Sequence, residues 1–183
     1  MNIFTAYYEV TFENKFLKSK AGTFQEFFEK LMSLAYKKDF MSCTPWGNQG
    51  DRKNDGFLKS EKQLFQVYAP NEMKATQAIK KIKDDFLGAK AHWGEHFNKW
   101  AFVHNSQNGL PPHVIKCLLD FQKENLGITI ENWGLEELRT VFREISCIDK
   151  KIWLGSVPTN ETITGLGFSD LETILKDLTT RLP

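Results

Sequence analysis

The sequence predicts an α/β domain, a mixed central β-sheet flanked by helices. Three observations carry that expectation. Phe24, Phe27, Phe28, Leu31, Leu34 and Ala35 recur at helical spacing, giving one apolar helix face. Trp100-Ala101-Phe102-Val103-His104 is a near-continuous apolar run, as in strands buried on both faces. Short apolar strands of this kind alternate with longer amphipathic stretches along the chain.

Taken in order, residues 3–17 are rich in aromatics and fit either a helix or a strand. Thr23-Phe24-Gln25-Glu26 reads as a capping box opening a helix that ends near Tyr36-Lys37-Lys38, where cations suit the helix dipole. Phe40–Cys43 is a short strand, and residues 45–50 form a loop by their Pro, Gly and Asn content. Gly56–Leu58 and Leu64–Tyr68 are two strands of a hairpin with Lys59-Ser60-Glu61-Lys62 at its turn. Pro70-Asn71 breaks the second strand, and a helix follows from about Lys74 to Trp93. Beyond Trp100–His104 come a helix over 114–124, a strand over 128–130, a helix from Glu136 to about Ile145, and an amphipathic helix from Ser169 to Leu182. The expected division is a domain over 1–145 and a C-terminal extension over 146–183, possible linker to a further domain.

The chain has 183 residues, a 41% hydrophobic fraction and a 26% charged fraction, as an ordinary globular domain does. No apolar run approaches the roughly 18 residues of a membrane span. MNIFTAYYEVTFENKF has no basic segment leading into an apolar one, so no signal peptide is expected. Cys43, Cys117 and Cys147 are widely spaced, which fits reduced thiols in a cytoplasmic protein. The net charge of +1 predicts no polyanion partner by itself. Residues 51–100, however, hold ten Lys and Arg against seven Asp and Glu, an excess that can form a weak basic face.

The richest constellation surrounds GDRKNDGFLKSEKQLFQVYAP, residues 50–70. Adjacent hairpin strands lie about 4.8 Å apart, so Asp55 and Gln66 can face one spot. A carboxylate and an amide carbonyl are hard oxygen ligands suited to Mg²⁺ or Mn²⁺, which can activate water and stabilise a phosphoryl transition state. The plainer reading makes Asp55-Gly56 a turn and Gln66 an edge-strand polar residue.

The pattern Gly-Asp-x-x-x-Asp-Gly, a hairpin, then Gln-x-Lys resembles the core of PD-(D/E)XK nucleases of the Mrr-like branch. The likeness spans roughly residues 22–142 and implies a restriction-endonuclease-like fold. It makes Asp55 the metal ligand and Gln66 the second ligand, on the next strand. Gly22-Thr23-Phe24-Gln25 resembles the family's upstream helix, while Trp100–His104 and Trp133–Leu138 resemble its final strand, turn and helix. The wording FQVYAP is similar to nuclease-like modules attached to NTPases in bacterial anti-phage systems. What the resemblance implies is a metal-dependent DNA endonuclease acting with DNA and a partner NTPase. Two positions depart from the pattern. The family's lysine, which positions or activates water, is Tyr68 here, a residue with a free pKa near 10 and no positive charge. The helix glutamate is Gln25, with Glu26 and Glu29 nearby. Lys74 is the expected replacement cation, ahead of Lys59 and Lys62. A catalytically inactive module that binds nucleic acid or a partner NTPase is the alternative.

Two further constellations are weaker. His92-Trp93-Gly94-Glu95-His96 matches the H-x-x-E-H pattern of inverted zinc proteases, but Gly94 and the approaching helix end argue against a firm ligand helix, and no metal is expected there. Cys117 with His104 or His113 could form a nucleophile pair, yet Cys117 sits among apolar residues as unreactive thiols do. Trp46, Trp93, Trp100, Trp133 and Trp153 could stack on bases, though their apolar neighbours place most of them in the core.

Overall fold

The computed structural model describes residues 3–43 and 53–158. Expectations for Trp46, for the loop over 45–50, for Asp51 and for the helix over 169–182 lie outside them. The elements run α1 (Ile3–Lys18), α2 (Gly22–Tyr36), β1 (Phe40–Ser42), β2 (Gly56–Leu58), β3 (Gln63–Tyr68), α3 (Ala75–Trp93), β4 (Lys99–His104), α4 (Pro112–Glu124), β5 (Thr129–Trp133), α5 (Leu135–Glu144) and α6 (Cys147–Leu154).

The five strands form one mixed sheet in the order β1-β2-β3-β4-β5. β1, β2 and β3 pair antiparallel, with Gly56 opposite Phe65 and Leu58 opposite Gln63. β4 is parallel to β3 and β5 parallel to β4, with Gln66 level with Phe102 and Phe102 level with Asn132. The parallel pairs require crossover connections, which α3 and α4 supply. The α/β class expected from the sequence is therefore present.

Side chains alternate across β3 and so divide the core in two. Phe65 and Val67 join α1, α2 and α5 in one cluster, whose centre is Phe12, Phe16, Phe24, Phe27 and Phe28. Leu64 and Tyr68 join Ala78, Ile82 and Phe86 of α3 and Val114 and Leu118 of α4 on the other face. Residues 3–17, ambiguous in sequence, are helical because Tyr8, Phe12 and Phe16 repeat every four residues and bury one stripe against α2 and α5. Phe12 stacks on Phe142 at 4.3 Å between ring centroids.

Local details differ from expectation. α2 begins at Gly22, so Thr23 lies in its first turn instead of capping it; its hydroxyl donates back to the Lys20 carbonyl at 2.7 Å. α6 is an additional helix within the span read as an extension. Ser146 caps it, accepting from the Asp149 N–H at 3.1 Å, and its Trp153 packs against Phe12, Phe27 and Phe142. Among the described residues no helix is long and apolar enough to cross a membrane.

Candidate functional site at the β2–β3 junction

Asp55 lies one residue before β2, directly opposite the region of β3 that carries Gln66. The preceding Asn54 is buried, and its side-chain oxygen accepts from the Gly56 N–H at 3.0 Å, a local turn that aims Asp55 across the sheet. Asp55 N–H donates to the Phe65 carbonyl at 3.0 Å. Its Oδ2 then accepts from Val67 N–H at 2.7 Å and from Gln66 Nε2 at 2.5 Å. Asp55 is 4% exposed and Gln66 2%.

A carboxylate can only accept here, so the Gln66 amide must turn its NH₂ toward Asp55 and its Oε1 away. That Oε1 is buried and finds no hydrogen-bond partner among the described residues. An orphaned buried carbonyl beside a buried carboxylate suits a hard cation or a ligand N–H.

Tyr68 shares the Gln66 face and sits 5.9 Å, ring to ring, from Phe102. Burial raises its phenol above the ordinary range, so it is protonated at neutral pH and cannot serve as a base. The resemblance, which puts Gln25 at the family's helix glutamate with Glu29 nearby, implies that both face this group. They stand instead on α2, the layer that packs on the other side of the sheet through Phe28 and Phe65. Gln25 donates to Glu29 at 3.1 Å and lines a cleft of about 250 Å³ with Val67, Tyr68 and Pro70, at the end of β3. The reason is the two-residue period of β3: Gln66 and Val67 point to opposite layers. Lys74 precedes α3 and lies 3.7 Å from Glu72, both side chains exposed.

His104 closes β4, level with Tyr68. It is 1% exposed, and its Nδ1 accepts from Ser106 N–H at 3.1 Å, so the neutral ring carries its proton on Nε2. Burial is the main cause holding its pKa at about 4; Asn132 and Glu137 oppose that shift. Nε2 and Asn132 Oδ1 both lack a directed hydrogen bond among the described residues. His104 is thus a neutral interior residue. Burial likewise raises the Cys117 thiol, which makes it a poor nucleophile. α3 ends at Trp93 and His96 N–H bonds the Trp93 carbonyl in a turn, so His92 and His96 do not form an i, i+4 pair on one helix. Among the described residues no group of three or more His, Cys, Asp or Glu side chains is arranged to hold a metal.

Sequence reasoning missed Lys53 and Asp85. Asp85 is fully buried on α3, 2.7 Å from Lys81 Nζ and 3.0 Å from Lys53 Nζ. A signal was present: Asp85 falls within the apolar stripe Ala78, Ile82, Phe86 and Ala89, where a charge needs a partner. Comparison with protein-family models, curated proteins and solved structures finds no match for this chain.

Proposed function

We propose that this chain carries a restriction-endonuclease-like domain directed at DNA, with Asp55 and Gln66 as its metal-binding pair. One observation carries the reading: the hairpin sets the Asp55 carboxylate against the Gln66 amide and leaves Gln66 Oε1 as a buried acceptor without a partner among the described residues. The mixed sheet with helices on both faces is compatible with the fold that the sequence resemblance implies. Asp55 and Gln66 would hold Mg²⁺ or Mn²⁺, with waters and substrate phosphate completing the sphere, and the ion would supply Lewis-acid polarisation of a phosphodiester. Asp55 is fixed for this role by Val67 N–H, whereas Gln66 would have to exchange its bond to Asp55 and turn its amide so that Oε1 faces the ion. Lys74 is the candidate cation for the place that Tyr68 leaves uncharged.

The second reading is an inactive module that binds nucleic acid or a partner NTPase. The observation favouring it is that position 68 holds a protonated phenol while Asp55 supplies a single carboxylate. Nicking of supercoiled plasmid by the purified chain separates the two. Wild type nicks with Mg²⁺ or Mn²⁺, EDTA stops it, and Asp55→Asn is inactive though folded. A folded wild type without nicking under either metal would transfer the assignment to the inactive module.

A further inference from the structure

After α6 the chain turns back on α1. Gly155 ends the helix at φ 92°, a conformation that favours glycine, and its carbonyl accepts from the Tyr8 hydroxyl at 3.3 Å. The turn leads Ser156 and Val157 into a groove of about 730 Å³ that Phe4, Tyr8, Phe142 and Ile148 also line. The cations of this chiefly apolar lining are Lys150 and Lys151, and its acid, Glu9, is committed to Arg143 at 2.8 Å. Trp153 serves the core side of α6. On the other side Ile148 and Ile152, one turn apart, are each 72% exposed. An apolar pair left in water at the edge of a groove marks a contact surface.

The chain continues from Pro158 to Pro183, and its sequence supplies an occupant. Phe168, Leu171, Ile174, Leu175, Leu178 and Leu182 recur at helical spacing, and Ser169-Asp170-Leu171-Glu172 reads as a capping box. A single helix of about fifteen residues is marginal in water on its own, so this stripe needs a surface to bury it. Asp170 and Asp177, seven apart, share one flank of the stripe and are opposite in sign to Lys150 and Lys151.

The connection decides in favour of the chain's own segment. It departs from the groove itself, at Val157. Residues 158–167 reach up to about 33 Å when extended, and a helix over 168–182 is about 22 Å long, so a return onto the groove is within range. A tether of this length gives an effective concentration on the order of millimolar, which a separate partner must exceed. We infer that residues 168–182 dock as an amphipathic helix into the groove between α1 and α6 of their own chain. They are then part of the domain and not a link to another. This docking is independent of the DNA-directed reading.

The test is amide hydrogen exchange of the full chain, read by mass spectrometry. Because such a helix does not persist undocked, protection over 168–182 reports the contact. Wild type is expected to protect these amides. Burying one large apolar side chain shifts an equilibrium by about ten- to a hundredfold, so Ile148→Asp is expected to lower that protection about tenfold or more. Leu119→Asp, at an exposed apolar position on α4, leaves it unchanged. Ile174→Asp/Leu178→Asp, made on the segment itself, gives the same loss and speeds thiol labelling of Cys147, which lines the groove. Exchange of wild-type 168–182 at unstructured rates overturns the docking, as does protection that Ile148→Asp leaves intact. Protection that rises with protein concentration alongside a dimer gives the groove to a second copy and overturns it too.

Discussion

Gln66 donates its side-chain amide to Asp55 across the β2–β3 hairpin, although the two residues are eleven positions apart and neither reaches solvent appreciably. The same Asp55 oxygen takes the Val67 backbone N–H. One carboxylate thus ends the β2–β3 ladder and also fixes the orientation of the amide beside it.

Asp55→Ala leaves the Val67 N–H and the Gln66 amide without their acceptor inside the protein. Each buried unsatisfied group costs about 1–3 kcal/mol, so the variant is expected to lose about 2–6 kcal/mol in urea unfolding. Asp55→Asn keeps one acceptor oxygen and loses less. Equal stability of Asp55→Ala and wild type would show that the hairpin does not depend on this carboxylate.

Gly56 was legible as half of an Asp-Gly turn signal, but its φ is not in the left-handed region. Its role is to make room. A Cβ there would lie 2.6 Å from two ring carbons of Phe40, whose ring packs against Phe28 and Phe65. Gly56→Ala is expected to cost about 1–3 kcal/mol by overpacking. A shift of the denaturant midpoint too small to measure would mean that Phe40, on the edge strand, yields freely.

His104 gives the protein a pH dependence with a defined sign. Its pKa is about 4 in the folded chain, below the ordinary 6.5. Between these values the unfolded chain binds a proton that the folded chain does not. Stability therefore rises with pH through the window and is lost as pH falls from 6.5 to about 4. At about 1.4 kcal/mol per unit, the loss is on the order of 3 kcal/mol. Unfolding free energies of wild type and His104→Gln, measured from pH 4 to 7, are expected to differ by this changing amount. A constant difference between the two would remove His104 as the cause.

Lys74 tests the cation assignment. Its contact with Glu72 is long and exposed, so Lys74→Ala should change stability by less than about 1 kcal/mol. Plasmid nicking is nonetheless expected to disappear in this variant and to persist in Lys59→Ala and Lys62→Ala. Wild-type cleavage by Lys74→Ala would mean that another group compensates for the charge missing at Tyr68.

The sequence by itself determined most of the elements and the α/β class. Their signals are local: the repeats of Phe24 to Ala35, the apolar run at Trp100 and the polar turn at Lys59–Lys62 are each contained within one segment. It also placed Asp55 and Gln66 within reach of each other, because hairpin geometry depends on the intervening residues alone. Only the tertiary structure decided which helix layer each side of β3 meets. Gln66 and Val67 point apart by strand geometry, but the packing of Phe65 on Phe28 is what assigns Gln25 and Glu29 to the layer that Gln66 does not face. It likewise decided that His104 is interior and neutral, since burial depends on Gly134 and α5 folding over the strand end. The Lys53–Asp85 contact was out of reach for the same reason: periodicity marks Asp85 as a charge on a buried face, whereas its second partner comes from a loop more than thirty positions away, and only the folded chain brings them together.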